Sequence, residues 1–163
     1  MKSLLLLRHG KSSWTEASLA DHDRPLKKRG VEASKRMGRW LLDNNLVPDC
    51  VLTSSATRAV TTAQLASDAM QFSGTTDVIP ELYHAEPETL AAVTAQVAEN
   101  FNRVLIVGHN PGLESWLARL IGRHEVFPTA ALALIELPIE SWQSFSLDTR
   151  GTLQGLWRPK ELP

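Results

Sequence analysis

Three short runs in this chain are apolar without polar alternation: residues 4–7, residues 51–52 with Cys50 and Thr53 beside them, and residues 104–107. Such runs suit strands buried on both faces, as in the middle of a parallel sheet. Behind each run a polar stretch intervenes, and then the apolar spacing changes to that of one helical face. Ala33, Met37, Trp40 and Leu41 follow the first run, Ala59, Ala63, Ala66 and Met70 the second, and Leu113, Trp116, Leu117, Leu120 and Ile121 the third. Leu90, Val93, Val97 and Phe101 predict a fourth helix, opened by Pro87 at a first-turn position. The C-terminal part reads differently. Residues 131–137, 142–147 and 153–157 form short strand-like pieces separated by Pro138 and by Arg150-Gly151, a pattern that fits antiparallel strands at a sheet edge. Strands alternating with helices need crossover connections, so the expected class is α/β: three α/β/α layers with a mostly parallel central sheet flanked by helices. With no repeat and no linker-like composition, residues 1–163 are expected to form a single domain.

Composition narrows the function. The chain has 17 Lys and Arg against 18 Asp and Glu, a formal charge of -1. That balance lacks the basic excess that counterion-driven nucleic-acid binding requires. No apolar run approaches the length of a membrane span, and residues 4–7 are too few for a signal-peptide core, so no membrane partner and a cytoplasmic location are expected. Cys50 is the single cysteine and can form neither an intramolecular disulfide nor a cysteine-based zinc site; it reads as a small buried strand residue. No His-x-His spacing occurs and there is no second cysteine, so neither a metal nor another cofactor is expected.

The chemistry is concentrated where an open α/β sheet places its ligand crevice, just past the carboxyl ends of the strands. The first run exits into Arg8-His9-Gly10-Lys11-Ser12, the second into Ser54-Ser55-Ala56-Thr57-Arg58, and the third into Gly108-His109-Asn110-Pro111-Gly112. Two guanidinium forks can neutralise a phosphoryl dianion through paired hydrogen bonds. A neutral imidazole, titrating near 6.5 when unperturbed, is a competent nucleophile at phosphorus near neutral pH, and a second, charged imidazole can donate to oxyanion charge. Gly10 is expected to let the backbone approach the ligand. Singly, each of these residues has an ordinary structural explanation; together, at strand ends, they describe a phosphate site with a nucleophile.

Arg8-His9-Gly10 resembles the Arg-His-Gly signature of the histidine phosphatase superfamily, in its phosphoglycerate-mutase-like branch. The segment from Thr57 to Ala63 resembles that family's second arginine motif, and Gly108-His109-Asn110-Pro111-Gly112 its second histidine motif. Asp23-Arg24-Pro25-Leu26 followed by Gly30 is most similar to the SixA-type phosphohistidine phosphatases. The resemblance implies a phosphoglycerate-mutase-like fold and a metal-independent phosphatase. His9 would be the phosphoryl acceptor, with Arg8, Arg58 and His109 around the phosphate and Gly10, Ser12 and Arg24 in contact with phosphate or substrate. Thr15 falls where many members have Asn, which leaves its role open. The implied partner is a phosphorylated protein, specifically phosphohistidine, or a small phosphorylated molecule.

Larger members carry a Gly-x-Trp-Glu segment whose Glu protonates the leaving group, and residues 80–90 here lack it. Glu81, His84, Glu86 and Glu88 are the acid candidates by sequence proximity. Imidazole, with a reference pKa of about 6.5, leaves more readily than an alkoxide, so the missing motif favours phosphohistidine over sugar phosphates. Two other readings stand beside this one: a small-metabolite phosphomonoesterase or mutase of the same superfamily, and a non-catalytic module that binds phosphate or phosphohistidine. His22 and His124 read as structural, Trp40 and Trp116 as core, and Trp14 either lines the pocket or does not. The cluster Lys27, Lys28, Arg29, Lys35, Arg36 and Arg39 is either a solvated helix face or a surface for an acidic partner.

Overall fold

The structure, a computed structural model, describes residues 1–162. Ten regular elements alternate along it. They are β1 (Lys2–Arg8), α1 (Lys28–Asp43), β2 (Cys50–Thr53), α2 (Thr57–Ala69), β3 (Thr75–Val78), α3 (Pro87–Thr94), β4 (Arg103–Gly108), α4 (Gly112–Ile121), β5 (Leu132–Leu137) and β6 (Thr152–Trp157). The strands form one six-stranded sheet in the order β3-β2-β4-β1-β5-β6. Strands β1 to β4 are mutually parallel, while β5 runs antiparallel to β1 and β6 antiparallel to β5. The expected three-layer α/β architecture with a mostly parallel sheet is therefore what forms.

Leucines 4 to 7 sit on the inner strand β1 and are fully buried, which is why this segment needs no polar alternation. Leu4 and Leu6 point to one side with Val104 and Ile106, against Leu90 of α3 and Leu113, Trp116 and Leu117 of α4. Leu5 and Leu7 point to the other side with Val51, Leu105 and Val107, against Met37 and Leu41 of α1 and Ala59, Ala63 and Ala66 of α2. Burying each leucine contributes about 1.5–3 kcal/mol, so this one strand anchors both cores. Trp116 is core, as expected, but Trp40 is only half-buried and packs its ring 5.7 Å from that of Trp157.

Three elements differ from the sequence reading. Helix α3 ends at Thr94, and Val97 and Phe101 follow it in successive turns closed by hydrogen bonds from Val97 N to Thr94 O and from Phe101 N to Ala98 O. Those turns still lay both side chains against the core, so the apolar spacing alone could not separate them from helix. Residues 142–147, expected as a strand, instead open with a 3₁₀ turn at Trp142–Ser144. The carboxylate of Glu99 accepts hydrogen bonds from Trp142 N and Gln143 N, which takes the donors a strand ladder would use. Finally, β3 was not expected; its four residues are all exposed, and it forms only because β2 offers an edge.

Candidate active site

Strand register assembles the site. Arg8 pairs with Gly108 at the ends of the adjacent parallel strands β1 and β4, so the next residue on each is a histidine, and the rings of His9 and His109 lie 5.0 Å apart. Strand β2 ends one step earlier, with Thr53 paired to Val107, and its following residue Ser54 meets His109. Helix α2 starts at Thr57 directly after this strand end, bringing Arg58 in its first turn over the same point. The resulting cleft, about 220 Å³, is lined by Arg8, His9, Lys11, Ser12, Arg24, Arg58, His84 and His109, with Trp14, Asn110 and Thr129 completing it.

His9 is 6% exposed and its Nδ1 lies 2.7 Å from the carbonyl oxygen of Gly10. A carbonyl only accepts, so the ring proton sits on Nδ1 and the lone pair on Nε2. Burial lowers the ring's pKa to about 4; the Gly10 hydrogen bond opposes it, and the charges of Arg58, Arg8 and Arg24 add smaller reductions. The nucleophile candidate is thus neutral at pH 7. Gly10 contributes otherwise than expected: its N–H donates to Thr62 Oγ1 at 3.0 Å, and a Cβ there would lie 2.6 Å from Gly30 O. It seats the loop against the start of α1 and aims His9, and it is not among the cleft's lining residues.

His109 is equally buried, and its Nε2 lies 2.7 Å from Ser54 Oγ. That hydroxyl accepts from Ala56 N and has no other acceptor for its own hydrogen among the described residues, so it donates to Nε2 and the imidazole proton sits on Nδ1. Burial, then His9, Arg58 and His84, lowers the pKa of His109 to about 3. The second histidine is therefore neutral in the free protein, not charged as the sequence suggested; only a bound dianion could raise it. His109 Nδ1, Arg8 Nε and Asn110 Oδ1 are buried atoms with no hydrogen-bond partner in the protein. Such groups each cost about 1–3 kcal/mol unless satisfied, and three of them belong to residues of one cleft.

Asp21, unremarked in the sequence as part of this site, organises two of the arginines. Its Oδ1 accepts from Arg24 Nη1 at 2.9 Å and its Oδ2 from Arg58 Nη2 at 3.0 Å, while its backbone oxygen accepts from Arg58 Nη1 at 2.7 Å. Tyr83 donates its hydroxyl to Oδ2 at 2.5 Å, and the Tyr83, Arg58 and Arg24 contacts together hold the carboxyl far below the ordinary carboxylate range. Arg24 is further fixed by Ser13 O and by the hydroxyl of Ser12, and it stacks 3.3 Å from the ring centroid of Trp14. Trp14 itself is 70% exposed at the rim. The only advance signal for Asp21 was its spacing of three residues from Arg24.

Among the four acid candidates, His84 lines the cleft, with Nε2 3.5 Å from Asp21 Oδ2 and its ring 6.1 Å from that of His109. Glu81 and Glu88 line a different and larger cavity of about 750 Å³ between α3 and strands β2 and β3, and Glu86 lines neither. Thr15 is exposed, bonded to Ser13, and outside the cleft. His22 bonds Ser55 Oγ at 2.9 Å and His124 lies 3.3 Å from Glu114, both outside the lining. The loop bearing His84 is clamped to α4, since a Cβ on Gly112 would lie 2.0 Å from Ala85 O. Among the described residues no group of three or more His, Cys, Asp or Glu is placed to hold a metal ion, and no helix is long and apolar enough to cross a membrane.

Fold and cleft together define an α/β protein with paired histidines among arginines at the strand ends. The sequence profile of the histidine phosphatase superfamily (branch 1) matches residues 4–83. An uncharacterised chloroplastic protein of Arabidopsis thaliana is 32% identical over 177 aligned positions, covering 97% of this chain and 78% of the relative. A crystal structure from Agrobacterium tumefaciens assigned as the phosphohistidine phosphatase SixA superposes with a TM-score of 0.84 at 28% identity, over 97% of this chain and 98% of that one. The protein histidine phosphatase SixA complexed with tungstate superposes equally well, TM-score 0.84, at 27% identity over 99% of both chains. The chain belongs to the histidine phosphatase superfamily, is SixA-like within it, and is a phosphatase.

Proposed function

We propose that the protein dephosphorylates phosphohistidine on a protein substrate, with His9 as the transient phosphoryl acceptor. The observation that carries this reading is His9 itself: a buried, neutral imidazole with its proton committed to Gly10 and its Nε2 free, set among Arg8, Arg24 and Arg58. In the first half-reaction the Nε2 lone pair attacks phosphorus, the substrate's P–N bond breaks, and the departing imidazole keeps the bonding pair and takes up a proton. In the second, water attacks phosphorus, the bond to Nε2 breaks, and inorganic phosphate leaves with His9 restored. Arg8 and Arg58 neutralise the phosphoryl oxygens in both halves, and His109 donates from Nδ1. Arg24 and Ser12, bonded to each other, supply further contacts to the phosphoryl group.

Substrate choice rests on the leaving group. Among the described residues no carboxyl acid lines the cleft; the acid candidate there is the imidazole of His84, and a departing imidazole needs far less help from an acid than an alkoxide does. The similarity to SixA structures, one of them holding a tetrahedral oxyanion, supports the same assignment. A direct comparison tests it: kcat/KM for a phosphohistidine protein against phosphoserine peptides and sugar phosphates. The phosphohistidine substrate is expected to lead by at least about 10²-fold; a sugar phosphate turned over faster would replace this assignment with the metabolite reading.

A further inference from the structure

A groove of about 540 Å³ runs beside the cleft, between α1 and the 3₁₀ turn Pro159–Glu161. Lys11 and Thr129 line both the cleft and the groove, so the two are continuous. Its walls carry Lys11, Arg29, Arg36, Arg158 and Lys160 against the carboxylates Glu32 and Glu161. Glu161 is within 3.5 Å of Arg158, which leaves Arg29, Arg36 and Lys160 exposed and outside any ion pair among the described residues. This density of positive charge stands on a chain whose formal charge is -1. Ala33, Pro128 and Pro159 supply small and apolar lining between the charges.

The groove divides the basic cluster noted in the sequence. Arg29 and Arg36 lie seven residues apart in α1, two turns on one face, whereas Lys27, Lys28, Lys35 and Arg39 are not part of the lining. Two turns of helix cover about 10 Å, the reach of about three residues of extended chain. Resting on the phosphohistidine reading above, we propose that this groove receives an acidic segment flanking the phosphorylated histidine of the substrate protein. Carboxylates a few residues from the phosphohistidine would lie against Arg29, Arg36 and Lys160 while the phosphoryl group occupies the cleft. Exposed pairs are each worth at most a few-fold, so their sum is about tenfold at low salt and shrinks as the Debye length falls.

The test uses two synthetic phosphohistidine peptides that differ only in having Asp and Glu, or Asn and Gln, beside the modified residue. The wild-type protein is expected to show about tenfold higher kcat/KM for the acidic peptide at 20 mM salt and little preference at 0.5 M. Arg29→Glu with Lys160→Glu is expected to abolish or invert that preference while turnover of p-nitrophenyl phosphate stays within about twofold of wild type. Equal rates on the two peptides, or a preference that survives in the double variant, overturns the groove assignment while leaving the phosphohistidine reading intact. No turnover of either peptide, with p-nitrophenyl phosphate still hydrolysed, overturns both. Sedimentation with phosphatidylserine vesicles that needs Arg29 and Lys160, without a peptide preference, also overturns it and gives the groove to a membrane surface.

Discussion

Two hollows of the protein, the cavity beside α3 and the histidine cleft, differ in size and in charge, and the two differences point opposite ways. The larger, about 750 Å³, is walled by α3 and carries Asp77, Glu81 and Glu88 with no cationic side chain. The smaller, about 220 Å³, carries Lys11, Arg8, Arg24 and Arg58 with three imidazoles. A phosphoryl dianion is repelled by the first and concentrated by the second, so charge and not volume decides where the chemistry lies. Topology explains the placement: the small cleft sits at the carboxyl ends of parallel strands, the large cavity along the flank of one.

The sharpest test of that contrast is His9→Ala, expected to lower kcat/KM by at least about 10⁴-fold with the circular dichroism spectrum unchanged. Rapid quenching of the wild type should trap one acid-labile, base-stable phosphoryl group that the variant lacks. Label recovered on a serine or an aspartate would reassign the nucleophile. Next in size is Arg58→Ala, where a donor aimed at charge developing in the transition state contributes about 10²–10³ to kcat. Should steady-state kinetics show only KM to rise, Arg58 is a binding residue alone. Asp21→Asn tests the frame behind the arginines. It removes the charge holding Arg24 and Arg58, and misplaced groups of this kind cost about 10–10² in rate. Tungstate affinity should fall with the rate; unchanged affinity and rate would mean the arginines hold their places without it.

Acid gives a graded version of the same test. His9 must be neutral to attack and its pKa is lowered to about 4, so kcat/KM should stay level from pH 7 to about 5 and fall about tenfold per unit below 4. With His109 lowered to about 3, the free protein contributes no basic limb near neutrality, and any such limb should appear in kcat alone, once phosphate has raised His109. Stability follows with a definite sign. Both rings have folded pKa values below their unfolded value of about 6.5, so their contribution is complete above pH 6.5 and is lost progressively as pH falls toward 4 and 3. Each ring contributes up to about 1.4 kcal/mol per pH unit across its window, and urea titrations of wild type and His9→Gln should differ there and agree above it. Smallest of all is the other hollow: Glu81→Gln with Glu88→Gln should change kcat/KM less than about twofold, and EDTA should change it no more.

Much of this was legible because buried parallel strands write themselves as unbroken apolar runs, and the residues directly after them, at positions 8–12, 54–58 and 108–112, inherit the crevice. β3 was hidden because its four residues face solvent and carry no pattern. Asp21 and Tyr83 were hidden for another reason: they act by holding arginines brought from distant segments, and an aspartate in a polar loop looks like any solvated one until the fold closes. Ser54, fixing the proton of His109 from a neighbouring strand end, belongs to the same class.

The contact between Gly112 and Ala85 bears on how this protein can change over generations. The first residue of α4 and the residue after His84 meet backbone to backbone, with a methyl group at position 112 already 2.0 Å from an oxygen. Lineages cannot part the loop that bears His84 from α4 by single substitutions at position 112, because every replacement begins with that same carbon. New substrate ranges would have to arise on the outer rim, where residues 15–18 are exposed and the chain can lengthen without disturbing a packed neighbour. Diversification of this scaffold is therefore expected as inserted loops around an unaltered floor.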